Sequence, residues 1–84
     1  MSISFQQRVL EVVRSIPRGS TMSYGDVAEA AGSPGAASAV GSLMKGNHDP
    51  SVPCHRVIKA DGTPGEYNGG SEKKIALLKQ EGAL

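Results

Sequence analysis

Pro53-Cys54-His55-Arg56 sets the chain's one thiol beside an imidazole and a guanidinium. The thiolate, not the thiol, is the nucleophile, and an isolated cysteine with a pKa near ~8.5 is only a few per cent ionised at neutral pH. A base must therefore take its proton. His55 is adjacent, but neighbours on an extended chain point to opposite sides, so a bridging water or a bend is needed. A general base also needs an orienting partner on its far nitrogen, and Glu81, from the final predicted helix, is a candidate carboxylate. Each of these residues also has a plain structural reading. A lone cysteine serves as a small buried hydrophobe, a histidine as a satisfied hydrogen-bonder, and Glu81 as a solvated helix-end charge. In the same way Tyr24 reads as core, Asn47 as a helix stop, and the Gly65 to Gly70 stretch as a turn.

The rest of the chain narrows the chemistry. With a single cysteine no intrachain disulfide can form, and no Cys/His cluster has the spacing of a structural zinc site, so neither a metal nor a cofactor is expected. No apolar run approaches the roughly 18 residues of a membrane span and the N-terminus lacks a signal-peptide pattern, so the expectation is a soluble, cytoplasmic protein with no membrane partner. At 84 residues the chain has room for one domain, spanning residues 1–84, and one core. Val, Ile, Leu and Phe make up only about a fifth of it, while the net charge of +1 argues against disorder. Ala and Gly must supply much of the packing, which predicts thin helices set close together. That charge is not the strongly basic footprint of most nucleic-acid binders. From Ser33 to Asn47, however, there is no acid and a single base, Lys45, so some surface there is kept free of negative charge.

Four helices are predicted to position these residues. Ser4-Phe5-Gln6-Gln7 reads as a capping box, and Phe5, Val9, Val12 and Ile16 recur at helical spacing up to Pro17-Arg18-Gly19. Ser23 caps a short helix from Tyr24 to Ala31, stopped by Gly32. A third helix opens at Pro34 and runs to Gly46-Asn47. The second and third read as a helix-turn-helix or as an ordinary helical hairpin, and the small, uncharged outer face favours the first. His55 to Lys59, the turn Ala60-Asp61-Gly62-Thr63, and Pro64 to Tyr67 predict two short strands, a small wing. Ser71-Glu72 starts a last helix through Ile75, Leu77 and Leu78. The fold class is mainly α with a small β-wing, a winged helix-turn-helix.

The order of these features, Tyr24-Gly25, Gly46-Asn47, Pro53-Cys54-His55-Arg56-Val57-Ile58, Tyr67-Asn68-Gly69-Gly70, Lys74, Leu77-Leu78 and Glu81-Gly82, resembles the active-site, C-terminal domain of the O6-alkylguanine-DNA alkyltransferases and the alkyltransferase-like proteins. The resemblance covers nearly the whole chain from Phe5 onward. It implies a winged helix-turn-helix that approaches double-stranded DNA from the minor groove, flips the alkylated guanine, and moves the alkyl group irreversibly onto cysteine. By this resemblance Cys54 is the acceptor, His55 deprotonates it through a water, Glu81 orients His55, and Asn47 holds the turn under the cysteine. Tyr24 helps to flip the nucleotide and donates to the departing guanine. Backbone carbonyls at Cys54 and Val57 hold the guanine amino group, and the loop Tyr67-Asn68-Gly69 closes the pocket. Ala36, Ala37, Ala39 and Gly41 keep the groove-facing surface small. Lys45, Arg56 and Lys59 are the expected phosphate-facing bases.

Two departures stand out. Ser38 occupies the place of the family arginine that fills the gap left by the flipped base. The chain also has the short form of the alkyltransferase-like proteins yet keeps the cysteine that they replace. The stretch from Asn47 to Val52 is one residue shorter than usual and carries an unexpected acid, Asp49. Three functions follow as expectations: a single-turnover alkyl transfer to Cys54 by a monomer, a non-catalytic sensor that recruits other repair-pathway proteins, or a winged-helix binding module with a vestigial pocket.

Overall fold

A computed structural model describes residues 4–47, 49, 51–63, 65 and 70–83. Helix α1 covers Phe5–Arg14 and begins in the expected capping box. The Gln7 amide donates to Ser4 Oγ at 3.2 Å and the Ser4 amide to Gln7 Oε1 at 3.3 Å, pairing two of the donors that a helix start leaves without partners. The helix buries Val9 and Val13, four residues apart on one face, with Ile16 just beyond its end, whereas Phe5 and Val12 are only partly covered.

Strand β1, Met22–Ser23, runs directly into helix α2, Tyr24–Ala30. Ser23 caps α2 as expected, and Asp26 completes a second capping box, its amide donating to Ser23 Oγ at 3.0 Å. Helix α3 is Ala37–Gly46 and begins three residues later than Pro34 would place it. Gly35 explains the delay: at φ +94° it lies in the left-handed region, so Ser33 to Ala36 close a turn, with the Ala36 amide donating to the Ser33 carbonyl at 3.1 Å. Val40 and Met44 of α3 pack on Val27 and Ala28 of α2 in the core.

The cysteine segment departs most from expectation. Cys54–Arg56 form one turn of 3-10 helix, and only Val57–Ile58 form a strand, β2. Its partner is β1, in parallel, with Met22 opposite Val57 and Ser23 opposite Ile58. A two-residue stretch such as Met22-Ser23 is too short for its alternation to register as a strand in the sequence. The turn at residues 60–63 does form, with the Lys59 amide donating to the Thr63 carbonyl at 2.9 Å, while Pro64, Glu66 and Tyr67 of the expected second wing strand lie outside the described residues. Helix α4, Ser71–Gln80, closes the chain and buries Leu78 and Lys74. The result is a small, mostly helical fold with a short β-sheet, in which α2, α3 and the cysteine turn share one core. Among the described residues no helix is long and apolar enough to cross a membrane.

Candidate active site

Cys54 opens the 3-10 turn and is 5% exposed. Its amide donates to the Val52 carbonyl at 2.8 Å, and the Arg56 amide to the Pro53 carbonyl at 3.0 Å, so the turn is hydrogen-bonded on both sides of the thiol. This corrects the extended reading of His55. In a 3-10 turn successive side chains lie about 120° apart rather than on opposite faces, and the objection to Cys54 and His55 sharing one side disappears.

His55 Nε2 lies 2.9 Å from Glu81 Oε2, with the two side chains 14% and 8% exposed. Glu81 is the C-cap residue of α4 and not part of the helix proper. Its carboxyl is held down at about 2, first by the hydrogen bonds from Arg56, then by His55, while burial works in the opposite direction. At neutral pH the carboxylate can therefore only accept, so a neutral His55 carries its proton on Nε2 and keeps Nδ1 as an acceptor for a water or thiol proton.

Arg56, expected to face phosphate, is turned inward. Its Nε donates to Glu81 Oε1 at 2.9 Å, Nη2 to Oε2 at 2.8 Å, and Nη1 to the Ile16 carbonyl at 2.9 Å. A planar guanidinium matches a carboxylate with two parallel bonds, and this geometry outweighs exposure on a DNA face.

Tyr24, the first residue of α2, is 7% exposed, and its hydroxyl accepts from Lys74 Nζ at 3.1 Å. Lys74 is fully buried, its ammonium 5.4 Å from the Tyr24 ring centre. Gly65, at φ +74°, lies so close to the same ring that a Cβ there would stand 2.7 Å from Tyr24 Cε2. Sequence reading missed the pairing of Tyr24 with Lys74, although Lys74 lies four residues before Leu78 and so on the buried face of α4.

Tyr24 opens onto a cleft of about 430 Å³ along α3, lined also by Ala37, Ser38, Gly41, Ser42 and the exposed Lys45 and Lys59. The size falls within the range of small-molecule and base pockets. Ser38 is exposed, as expected, and a Cβ at Gly41 would meet nothing within 4 Å, so the cleft floor is open. Ala36 packs against the core and Ala39 is exposed. Val57 is fully buried directly after the cysteine turn. Asn47 is the C-cap of α3, and its Oδ1 accepts from the Asp49 amide at 3.4 Å. Asp49 in turn accepts from the Ser51 amide at 2.9 Å and from the Ser51 hydroxyl at 2.8 Å, and its carbonyl takes the Val52 amide at 3.1 Å. The unexpected acid thus shapes the path from α3 to Cys54. Tyr67, Asn68 and Gly69, the expected pocket-closing loop, lie outside the described residues. Among the described residues no group of three or more His, Cys, Asp or Glu side chains is placed to hold a metal ion.

A family model described as the DNA-binding domain of 6-O-methylguanine DNA methyltransferase matches residues 4–83. The methylated-DNA–protein-cysteine methyltransferase of Methanothermobacter thermautotrophicus is 52% identical over 79 residues, covering 93% of this chain and 44% of that protein. The crystal structure of Mycobacterium tuberculosis OGT in complex with DNA matches with a TM-score of 0.87 at 48% identity, over 96% of this chain and 50% of that one. The structure of S. pombe Atl1 in complex with damaged DNA containing O6-carboxymethylguanine matches with a TM-score of 0.85 at 34% identity, over 98% and 80%. The chain spans about half the length of the curated relatives it matches. Over nearly all of its residues, this chain belongs to the 6-O-methylguanine DNA methyltransferase family, as a DNA-binding domain of that family.

Proposed function

We propose that this chain is the active-site domain of a DNA-repair alkyltransferase and that Cys54 accepts the alkyl group of an O6-alkylguanine, irreversibly and once per molecule. The observation that carries the reading is the 2.9 Å contact of His55 Nε2 with an ionised Glu81, one residue from a thiol held in a tight turn. His55 Nδ1 takes the thiol proton through a water, and the thiolate sulfur attacks the alkyl carbon. The S–C bond forms as the C–O6 bond breaks, leaving the electron pair on the guanine, which is reprotonated. Tyr24, whose oxygen accepts from Lys74, is the proposed hydrogen-bond donor to that developing charge. No group in the chain reverses a thioether, so each molecule acts once.

DNA is the partner, approached from the minor groove along the uncharged face of α3, where small residues permit close contact and the cleft-lining Lys45 and Lys59 face phosphate. The chain then works wherever the cell keeps its DNA, in a cytoplasm or a nucleus, as a monomer without a cofactor.

Intact mass after incubation with duplex containing O6-methylguanine tests the proposal. One methyl group per chain, mapped to Cys54 and absent from Cys54→Ser, is the expected result. A second reading, a sensor that binds the lesion and recruits other repair proteins, is favoured by one observation: the cleft-lining position 38 carries a short serine. Tight lesion binding by an unmodified wild-type protein would select it.

A further inference from the structure

Arg56 sits in the reactive motif, yet the alkyl-transfer reading gives it no task. Among the described residues its guanidinium makes three bonds, all to Glu81 and Ile16. Two form a fork on Glu81 and the third reaches the Ile16 carbonyl, in the loop that follows α1. That loop approaches Glu81 independently at Gly19, where a Cβ would stand 3.3 Å from the Glu81 carbonyl oxygen. Arg56 thus ties the Glu81 side chain to this loop, which also runs close to the Glu81 backbone.

The arrangement answers a physical difficulty. Glu81 is the C-cap of α4, and the partial negative charge of a helix C-terminus disfavours an anion there. Burial disfavours it as well. Left to itself the carboxylate would turn to solvent, which removes the acceptor that orients His55, or take up a proton, which weakens it. Among the described residues the titratable side chains acting on Glu81 are Arg56 and His55.

The geometry points to Arg56 as a positioning residue of the reaction centre, which holds Glu81 ionised and fixed under His55 and anchors the pair to the loop after α1, and which makes no contact with DNA phosphate. This rests on the proposed alkyl transfer, with one part that does not: the grip on Glu81 is a property of the free protein.

Arg56→Gln and Arg56→Lys in the full chain test it by two readouts. In single-turnover assays on O6-methylguanine duplex, Arg56→Gln should slow transfer by about tenfold or more with DNA affinity within about twofold of wild type. Arg56→Lys, which keeps the charge without the fork, should recover part of that rate. In protein carrying 13C-labelled glutamate, the Glu81 carboxyl of Arg56→Gln should titrate at clearly higher pH than in wild type, where it titrates at about 2. A loss of DNA affinity at unchanged transfer rate overturns the inference, as does an unshifted Glu81 titration. If Arg56→Gln does not fold, Arg56→Lys is read in both assays, and a wild-type transfer rate there overturns it. If wild type transfers no alkyl group at all, the alkyl-transfer reading fails, and the carboxyl titration still decides whether Arg56 holds Glu81.

Discussion

The ammonium of Lys74 lies 3.1 Å from the hydroxyl of Tyr24, fully buried, joining α4 to the first residue of α2 across fifty positions of sequence. A buried charge is tolerated only with polar partners, so each residue makes the other's position affordable in free energy. Tyr24→Phe should therefore lower stability by about 1–3 kcal/mol, because it removes an acceptor from a buried cation. Adding Lys74→Met should recover most of that loss. Urea unfolding of the two single variants and the double variant measures the coupling, and strictly additive effects would show that the contact contributes nothing.

Glu81 makes stability depend on acid. Its folded carboxyl titrates at about 2, below the ordinary carboxylate range, so the folded state binds fewer protons than the unfolded one. The contribution is fully present above pH ~5 and is lost as the pH falls towards 2. Glu81→Gln should flatten the urea midpoint across that window relative to wild type. It should also slow alkyl transfer by roughly 10²–10⁴ while leaving DNA affinity nearly unchanged, since its carboxylate bonds to His55 and Arg56. A Glu81→Gln variant with the same acid dependence as wild type would place the pH-sensitive group elsewhere.

Much of this scaffold is legible in the residues because its signals are local. Ser4 with Gln7, and Ser23 before Tyr24, are caps whose partners lie three residues away. Pro34 favours a first helical turn, yet α3 starts at Ala37, because the deciding feature is the positive φ of Gly35, which a sequence does not display. The cysteine turn was read as extended because Val57-Ile58 looks like a strand whose reach is ambiguous by a few residues. What remained hidden is non-local. Arg56 meets Glu81 across twenty-five positions and Ile16 across forty, and the strands Met22-Ser23 and Val57-Ile58 pair although α2 and α3 lie between them in the sequence. The motif that carries Cys54 was plain, but which of its cations faces inward depends on those contacts.

The inward turn of Arg56 also lowers the expected salt dependence of DNA binding. Of the three bases read as phosphate-facing, Lys45 and Lys59 are exposed and line the cleft, whereas Arg56 is turned onto Glu81. With about two phosphates neutralised, log affinity should fall with log salt at a slope of roughly −2 rather than −3. Fluorescence anisotropy from low to moderate salt reads the slope directly. A value several times steeper would reveal a further basic surface.

Ser38 is exposed on α3 and lines the same cleft as Tyr24; on the proposed alkyl-transfer reading, a side chain at this position replaces the extruded base. Serine is too short to fill that gap. Unstacking a base costs on the order of a few kcal/mol, least at a damaged or mismatched pair, and an arginine there would offset part of the cost by stacking in the vacated space. Ser38→Arg should accordingly accelerate alkyl transfer in duplex DNA more than in single strands, where no gap forms. The neighbouring floor can accommodate the change, since a Cβ at Gly41, one turn along, would meet nothing within 4 Å. Single-turnover rates on matched duplex and single-stranded substrates measure the ratio. An equal gain on both substrates would mean that the added charge acts through phosphate attraction alone. No gain on either would mean that position 38 does not meet the base gap, and that the α3 face enters the groove at a different register.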